Sequence, residues 1–261
     1  MRKNITAVIL LGMMLFALGG ILSRGSGDQT SVENDTLTMQ EELRPCILQI
    51  FCGDYRGSGV VWEITEEEVT VLTSAHLLKN GDICEVLCYA GVYYEAEVER
   101  ISEDCDIAFA VFSADELKED GIVLRAAAPS RRGAEELVKG EELAVYGSMD
   151  MVAGDFVKGY LIEPESGMQI EGYEELQPLL FGGIVRERVA EDGETEEGIP
   201  DTSERGAVDA GMSGCGVFDG NGELLGILVG GDGESRFAAV PVWKIVEEGE
   251  RMIEEDGGQR S

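Results

Sequence analysis

Positive charge is the scarcest commodity in this chain. Its 261 residues include 20 Lys and Arg against 52 Asp and Glu, a formal net charge of −32. Such a chain repels phosphate backbones and anionic lipid headgroups, which excludes nucleic acid as a partner. Histidine is nearly absent, with His76 standing alone. Proline is sparse at 6 residues, whereas glycine numbers 35. Long helical periods are also few, and no internal repeat is visible. Short apolar runs separated by Gly and acidic turns therefore point to a β-rich fold. Apolar residues still make up 44% of the chain, enough for a packed core and too many for a disordered acidic tail.

One uncharged run stands out, from Ile5 to Leu22, preceded by Arg2 and Lys3 and closed by Ser23-Arg24. As a helix it rises about 27 Å, enough to cross a bilayer. It reads as a retained signal anchor (1–23), with a cleaved secretory signal ending near Ala17-Leu18-Gly19 as the alternative. The basic residues before it keep the N-terminus inside, so the rest of the chain is expected outside the cytoplasmic membrane. Residues 24–44 are polar and read as a flexible tether. No lipid-acceptor cysteine follows the run.

Strand-like segments follow at 47–52, 58–64, 68–73, 82–89, 92–101 and 106–112. A second series occupies 122–127, 142–147, 156–163, 180–186, 215–219, 223–229 and 236–240, with a break near 129–140. Two clusters of similar size suit two small barrels. The acidic stretch 187–206 reads as a solvated surface loop. The pattern of 241–255 predicts a closing helix, with Val242, Val246 and Ile253 on one face and Ile245 and Met252 beside them. Residues 256–261 form a polar tail.

Three segments carry chemistry. His76 ends the run that passes from Gly57-Ser58-Gly59 to Thr73-Ser74-Ala75, which sets it at a strand exit. An imidazole titrates near neutrality and can take and return a proton. Asp106 opens the apolar run Ile107-Ala108-Phe109. A carboxylate at the lip of a buried strand needs a partner, and an imidazole N–H would serve. Ser213 lies between Gly211 and Gly214, where the backbone is free to take unusual conformations and a substrate can approach closely. Backbone N–H groups of Gly211 and Ser213 are placed to converge on a developing oxyanion.

The ordered set of GSG–strand–TSAH, DIAF and GMSGCGVFDGNGELLGIL, with RFAAVPV before the closing helix, resembles the trypsin-like serine proteases of chymotrypsin fold. Bacterial HtrA/Deg-type peptidases are the most similar branch, and the resemblance spans about 45–255. It implies an all-β architecture of two six-stranded antiparallel barrels, the first over about 45–130 and the second over about 140–241, with a C-terminal helix and the N-terminal transmembrane helix before them. It also implies that Ser213 is the nucleophile, His76 the general base, Asp106 the residue that orients His76, and Gly211 with Ser213 the oxyanion donors. The implied activity is serine endopeptidase, acting on protein or peptide substrates without cofactor or metal.

Four positions depart from the family pattern. Met212 stands where relatives carry Asp or Asn, Cys215 replaces a Gly, Gly216 replaces a Pro, and Leu77 stands where a Cys is familiar. Met212 leaves open a second function class, a catalytically impaired protease-like module that binds peptides or signals. The short distance from the closing helix to the chain end leaves no room for a PDZ domain. If the specificity pocket is built from loops near 205–210 and 228–236, Ala207 and Gly230 make it open and uncharged. Oligomeric state is not legible. The six cysteines lack zinc-ribbon spacing. Cys84 and Cys88 would lie too far apart on one strand to bond each other. Buried thiols and cross-strand disulfides both remain open.

Overall fold

A computed structural model describes residues 37–149, 152–185, 188–189, 195–196, 211–233 and 235–259. The N-terminal apolar run expected to cross the membrane lies outside the described residues, as does most of the 187–206 loop. Among the described residues, no helix is long and apolar enough to cross a membrane.

The first six strands are β1 (Ile47–Cys52), β2 (Tyr55–Ile64), β3 (Glu68–Thr73), β4 (Ile83–Leu87), β5 (Tyr93–Ile101) and β6 (Ala108–Ser113). They close a barrel in the order β1-β2-β3-β6-β5-β4. Strands β7 (Glu142–Met149), β8 (Val152–Gln169) and β9 (Leu176–Ile184) follow, then the short pair β10 (Arg188–Val189) and β11 (Thr195–Glu196). Strands β12 (Gly216–Asp219), β13 (Leu224–Gly231) and β14 (Arg236–Pro241) complete the second barrel, closed in the order β12-β13-β14-β9-β8-β7. The ladders of both barrels are antiparallel.

The alternation of side chains along a strand explains why two barrels form and why they adhere. On β1, Leu48, Ile50 and Cys52 point into the first barrel with Val61, Val69, Val71, Ala110 and Phe112. Residues of opposite parity, including Ile47, Val60, Leu72 and Phe109, join Tyr146, Phe218, Ile227, Ala238 and Val240 in a core shared between the barrels. The second barrel encloses its own core, which contains Val145, Leu161, Leu180, Val217, Leu225 and Phe237. Strands at the seam between the barrels therefore bury side chains on both faces, and three cores result.

Four helices complete the fold: α1 (37–43), α2 (Ala75–Leu78), α3 (Ala114–Asp120) and α4 (Val242–Gln259). Helix α1 falls within the stretch read as a tether, yet Leu43 is buried and Met39 packs on the shared core. The expected strand at 122–127 is instead an extended connection. Beyond α3 its main-chain N–H groups bond only where Arg125 N–H meets Pro45 O and Ala127 N–H meets Val61 O, and Val123 O accepts from the Tyr89 hydroxyl, too few for a ladder. On α4 the buried face is Val242, Ile245 and Glu248, while Val246 is exposed. A carboxylate thus occupies a place assigned to an apolar residue, for a reason given by its partners below.

Candidate active site

Strand β3 ends at Thr73, and Ser74 starts the single turn of α2 that carries His76. Asp106 comes from the loop between β5 and β6, shaped by bonds from Ser102 N–H to Ile107 O and from Ile107 N–H to Cys105 O. The two residues meet twice. The backbone N–H of His76 donates to Asp106 Oδ1 at 2.9 Å, and His76 Nδ1 lies 2.6 Å from Asp106 Oδ2. The side chain of His76 is 38% exposed and that of Asp106 only 3%, so the imidazole edge away from the carboxylate faces solvent. With Nδ1 engaged by the carboxylate, Nε2 is the nitrogen free for proton transfer.

Ser213 reaches this place through backbone bonds between barrels. Its carbonyl accepts from Ser58 N–H on β2 at 2.8 Å. Leu228 O on β13 accepts from Gly214 N–H at 2.7 Å and from the Ser74 hydroxyl at 3.0 Å. One carbonyl therefore ties the residue after Ser213 to a residue two before His76. Thr73 Oγ1 adds a bond to Ser58 O at 2.6 Å. Gly214 is mandatory here: its φ is +84°, and a Cβ would lie 1.8 Å from Ser58 O. At Gly57 a Cβ would lie 2.4 Å from Leu77 Cδ1 and 2.7 Å from Ser213 O, so the backbone passes without room for a side chain.

Residues 212–215 form a turn in which Cys215 N–H donates to Met212 O at 2.9 Å. Because a trans peptide opposes its C=O and N–H, the Ser213 N–H points away from that turn. Among the described residues, neither Gly211 N–H nor Ser213 N–H finds an acceptor. Gly211 takes φ of +107°, and its carbonyl accepts from Ser58 Oγ at 3.3 Å. Met212, 1% exposed, sits in the core of the second barrel and anchors the loop through packing.

The expected site residues divide plainly. His76 and Asp106 touch, and Ser213 and Gly211 lie on the adjoining seam through Ser58, Ser74 and Leu228. Ala207 is outside the described residues, while a Cβ on Gly230 would meet open space. All six cysteines are buried and unbridged, and burial pushes the Cys84 and Cys105 thiols up to about 12. Among the described residues, no cluster of His, Cys, Asp and Glu is arranged to hold a metal. Ser74, Leu228 and Tyr173, which lies against Asp106, were missed by reading motifs. TSAH carried a signal for Ser74, a hydroxyl at a helix start; nothing local marks the other two.

The family model described as the trypsin-like peptidase domain matches residues 57–227, which include His76, Asp106 and Ser213. The chain belongs to this family. As a trypsin-like peptidase it is a serine-type endopeptidase. No curated protein matches it in sequence. Among solved structures, it is similar to the inactive form of a serine-to-alanine mutant of Rv3671c from M. tuberculosis H37Rv. That match has TM-score 0.61 and 16% identity, over 88% of this chain and 96% of that one. The active form of the Rv3671c protease matches with TM-score 0.60 and 16% identity, over 91% and 92% of the respective chains. At this identity the likeness establishes the shared fold.

Proposed function

We propose that this peptidase cleaves peptide bonds through a His76–Asp106–Ser213 triad, outside the cytoplasmic membrane to which its N-terminal segment anchors it. The double contact between His76 and Asp106, on the seam that holds Ser213, is the observation that carries the reading. Ser213 Oγ attacks the carbonyl carbon of the scissile bond while His76 Nε2 takes the hydroxyl proton. The N–H groups of Gly211 and Ser213 receive the oxyanion. Collapse breaks the C–N bond, and His76 returns its proton to the departing amine. Water, activated in turn by His76, then hydrolyses the acyl-enzyme and restores Ser213. Asp106 stays ionised throughout and keeps Nδ1 protonated. No step calls for a cofactor.

A fluorophosphonate probe applied to cells expressing the full chain tests both parts. Covalent label is expected on the parent, in the membrane fraction, and on neither Ser213→Ala nor His76→Ala. Label on a soluble chain shortened at its N-terminus would replace the anchor with a cleaved signal. A folded parent that refuses label while still binding peptides would favour the second reading, a binding module. Met212 at the place of the family's Asp or Asn is the observation behind that alternative.

A further inference from the structure

Tyr173 lies in the turn that joins β8 to β9 in the second barrel, yet the groups it faces belong to the first. Its N–H donates to Ile170 O at 3.2 Å, the Gln169 side-chain amide donates to its carbonyl, and Gly172 takes φ of +91°. The turn thus fixes where the ring points. The residue is 6% exposed, and its hydroxyl has no partner in full hydrogen-bond geometry. A buried hydroxyl without a partner is costly, and a native structure keeps one for a reason. Burial first, then the charges of Asp106 and Cys105 nearby, push its phenol above the ordinary value. Lys79, which follows α2 three residues after His76, places Nζ over the ring at 4.7 Å from its centroid.

Asp106 has capacity left. Both of its oxygens accept from His76, but a carboxylate offers about four acceptor sites. It is 2% exposed, and a buried acceptor site left without a donor is costly. We infer that Tyr173 is a positioning residue: its hydroxyl donates to Asp106, so the second barrel holds the carboxylate that holds His76. In the resting structure the hydroxyl has Asp106 as a neighbour but stops short of hydrogen-bond geometry, and catalytic hydrogen bonds are often long before substrate arrives. The ionisable groups involved are few. His76 and Tyr173 face Asp106; Asp106, Cys105 and Lys79 face Tyr173; Glu248 and Lys244 lie beyond Cys105.

The inference deepens the triad reading and rests on it, but one readout is independent of catalysis. With a single histidine in the chain, the low-field proton resonance of a carboxylate-bound imidazole Nδ1–H is unambiguous. In detergent-solubilised full chain, Tyr173→Phe is expected to shift that resonance while the melting temperature stays close to the parent's. Labelling by the fluorophosphonate should slow roughly three- to tenfold, the net worth of one hydrogen bond. The acid limb of its pH dependence should move to higher pH, because a carboxylate that has lost a donor holds the imidazolium more tightly. Lys79→Met should act in the same direction and more weakly. A Tyr173→Phe chain with the parent's resonance, rate and pH limb overturns the inference, as does a change in melting temperature alone. If the parent takes no label, the protease reading fails while the resonance still decides the Tyr173 contact.

Discussion

At the residue scale, Met212 is the most informative departure from the family. A methionine is unbranched and adaptable, and it fills an irregular gap in an apolar core. Here it joins Val145, Leu161, Leu180 and Phe237, and so fixes the loop between Gly211 and Ser213 by packing. Met212→Asp, which restores a family residue, therefore buries an unpaired carboxylate and is expected to cost at least about 3 kcal/mol. Met212→Leu should stay within about 1.5 kcal/mol of the parent and keep its label. Urea unfolding midpoints separate the two, and an Asp variant as stable as the parent would mean that the loop has another anchor. Such an anchor is invisible in a motif: the sequence shows a changed residue, whereas burial shows what took over its work. The segments of His76, Asp106 and Ser213 drew attention for the opposite reason. Each stands in a local pattern of glycines or a strand end that only a few backbone conformations can satisfy. Tyr173 has no such frame, because its partners lie 67 residues or more away along the chain.

At the scale of elements, α4 repays attention for what it grips. Glu248 is 2% exposed and takes charge from Lys244 at 2.9 Å and Arg251 at 2.7 Å. Its Oε2 also accepts from the Ser102 hydroxyl at 3.2 Å, whose oxygen in turn accepts from the N–H groups of Asp104 and Cys105. The helix thereby braces the loop that ends in Asp106. Burial alone would raise the Glu248 carboxyl, but the hydrogen bonds from Lys244 and Arg251 outweigh it and hold the group below its ordinary 4.5. A depressed carboxylate contributes stability that is present above 4.5 and lost as pH falls through the folded value. Glu248→Gln should cost about 1–3 kcal/mol near pH 7, and the gap to the parent should close on acidification. Thermal melts of both chains at a series of pH values would show it; a gap that persists in acid would assign the loss to packing. Periodicity found this helix and its buried Val242 and Ile245 but set Val246 on the buried face and missed Glu248, since a buried salt-bridged Glu looks like a surface residue in sequence; the side chains of Met252 and Ile253 lie outside the described residues. Helix α3 was passed over although its signals were present. Ser113 caps it by accepting from Asp115 N–H, and Gly121 closes it with φ of +67°. Its seven residues carry too little apolar period to announce themselves.

At the scale of the whole molecule, the two barrels are sequential along the chain, and the site lies where they meet. Alternation of side chains made the strand clusters readable one by one. It did not reveal that the outer faces of both clusters would be apolar enough to share a core, which requires knowing which strands are neighbours. The cysteines report on this closure. Cys52, Cys84 and Cys88 lie in the first barrel, Cys215 in the second, and Cys46 and Cys105 in the shared core. An aromatic disulfide reagent at pH 8 should find essentially no thiol in the native protein and six after denaturation. Rapid native reaction of even one would show that a barrel opens locally.

The brace from α4 also has a consequence in time. Translation delivers the helical turn bearing His76 first, the loop ending in Asp106 next, the turn with Ser213 later and Glu248 after all three. A nascent chain therefore holds every barrel strand while the loop ending in Asp106 still lacks its brace. The ribosome releases His76, Asp106 and Ser213 before it releases the means of holding the loop of Asp106 steady. Until α4 is made the shared core also lacks Val242 and Ile245, so the seam between the barrels and the loop ending in Asp106 gain their last support together.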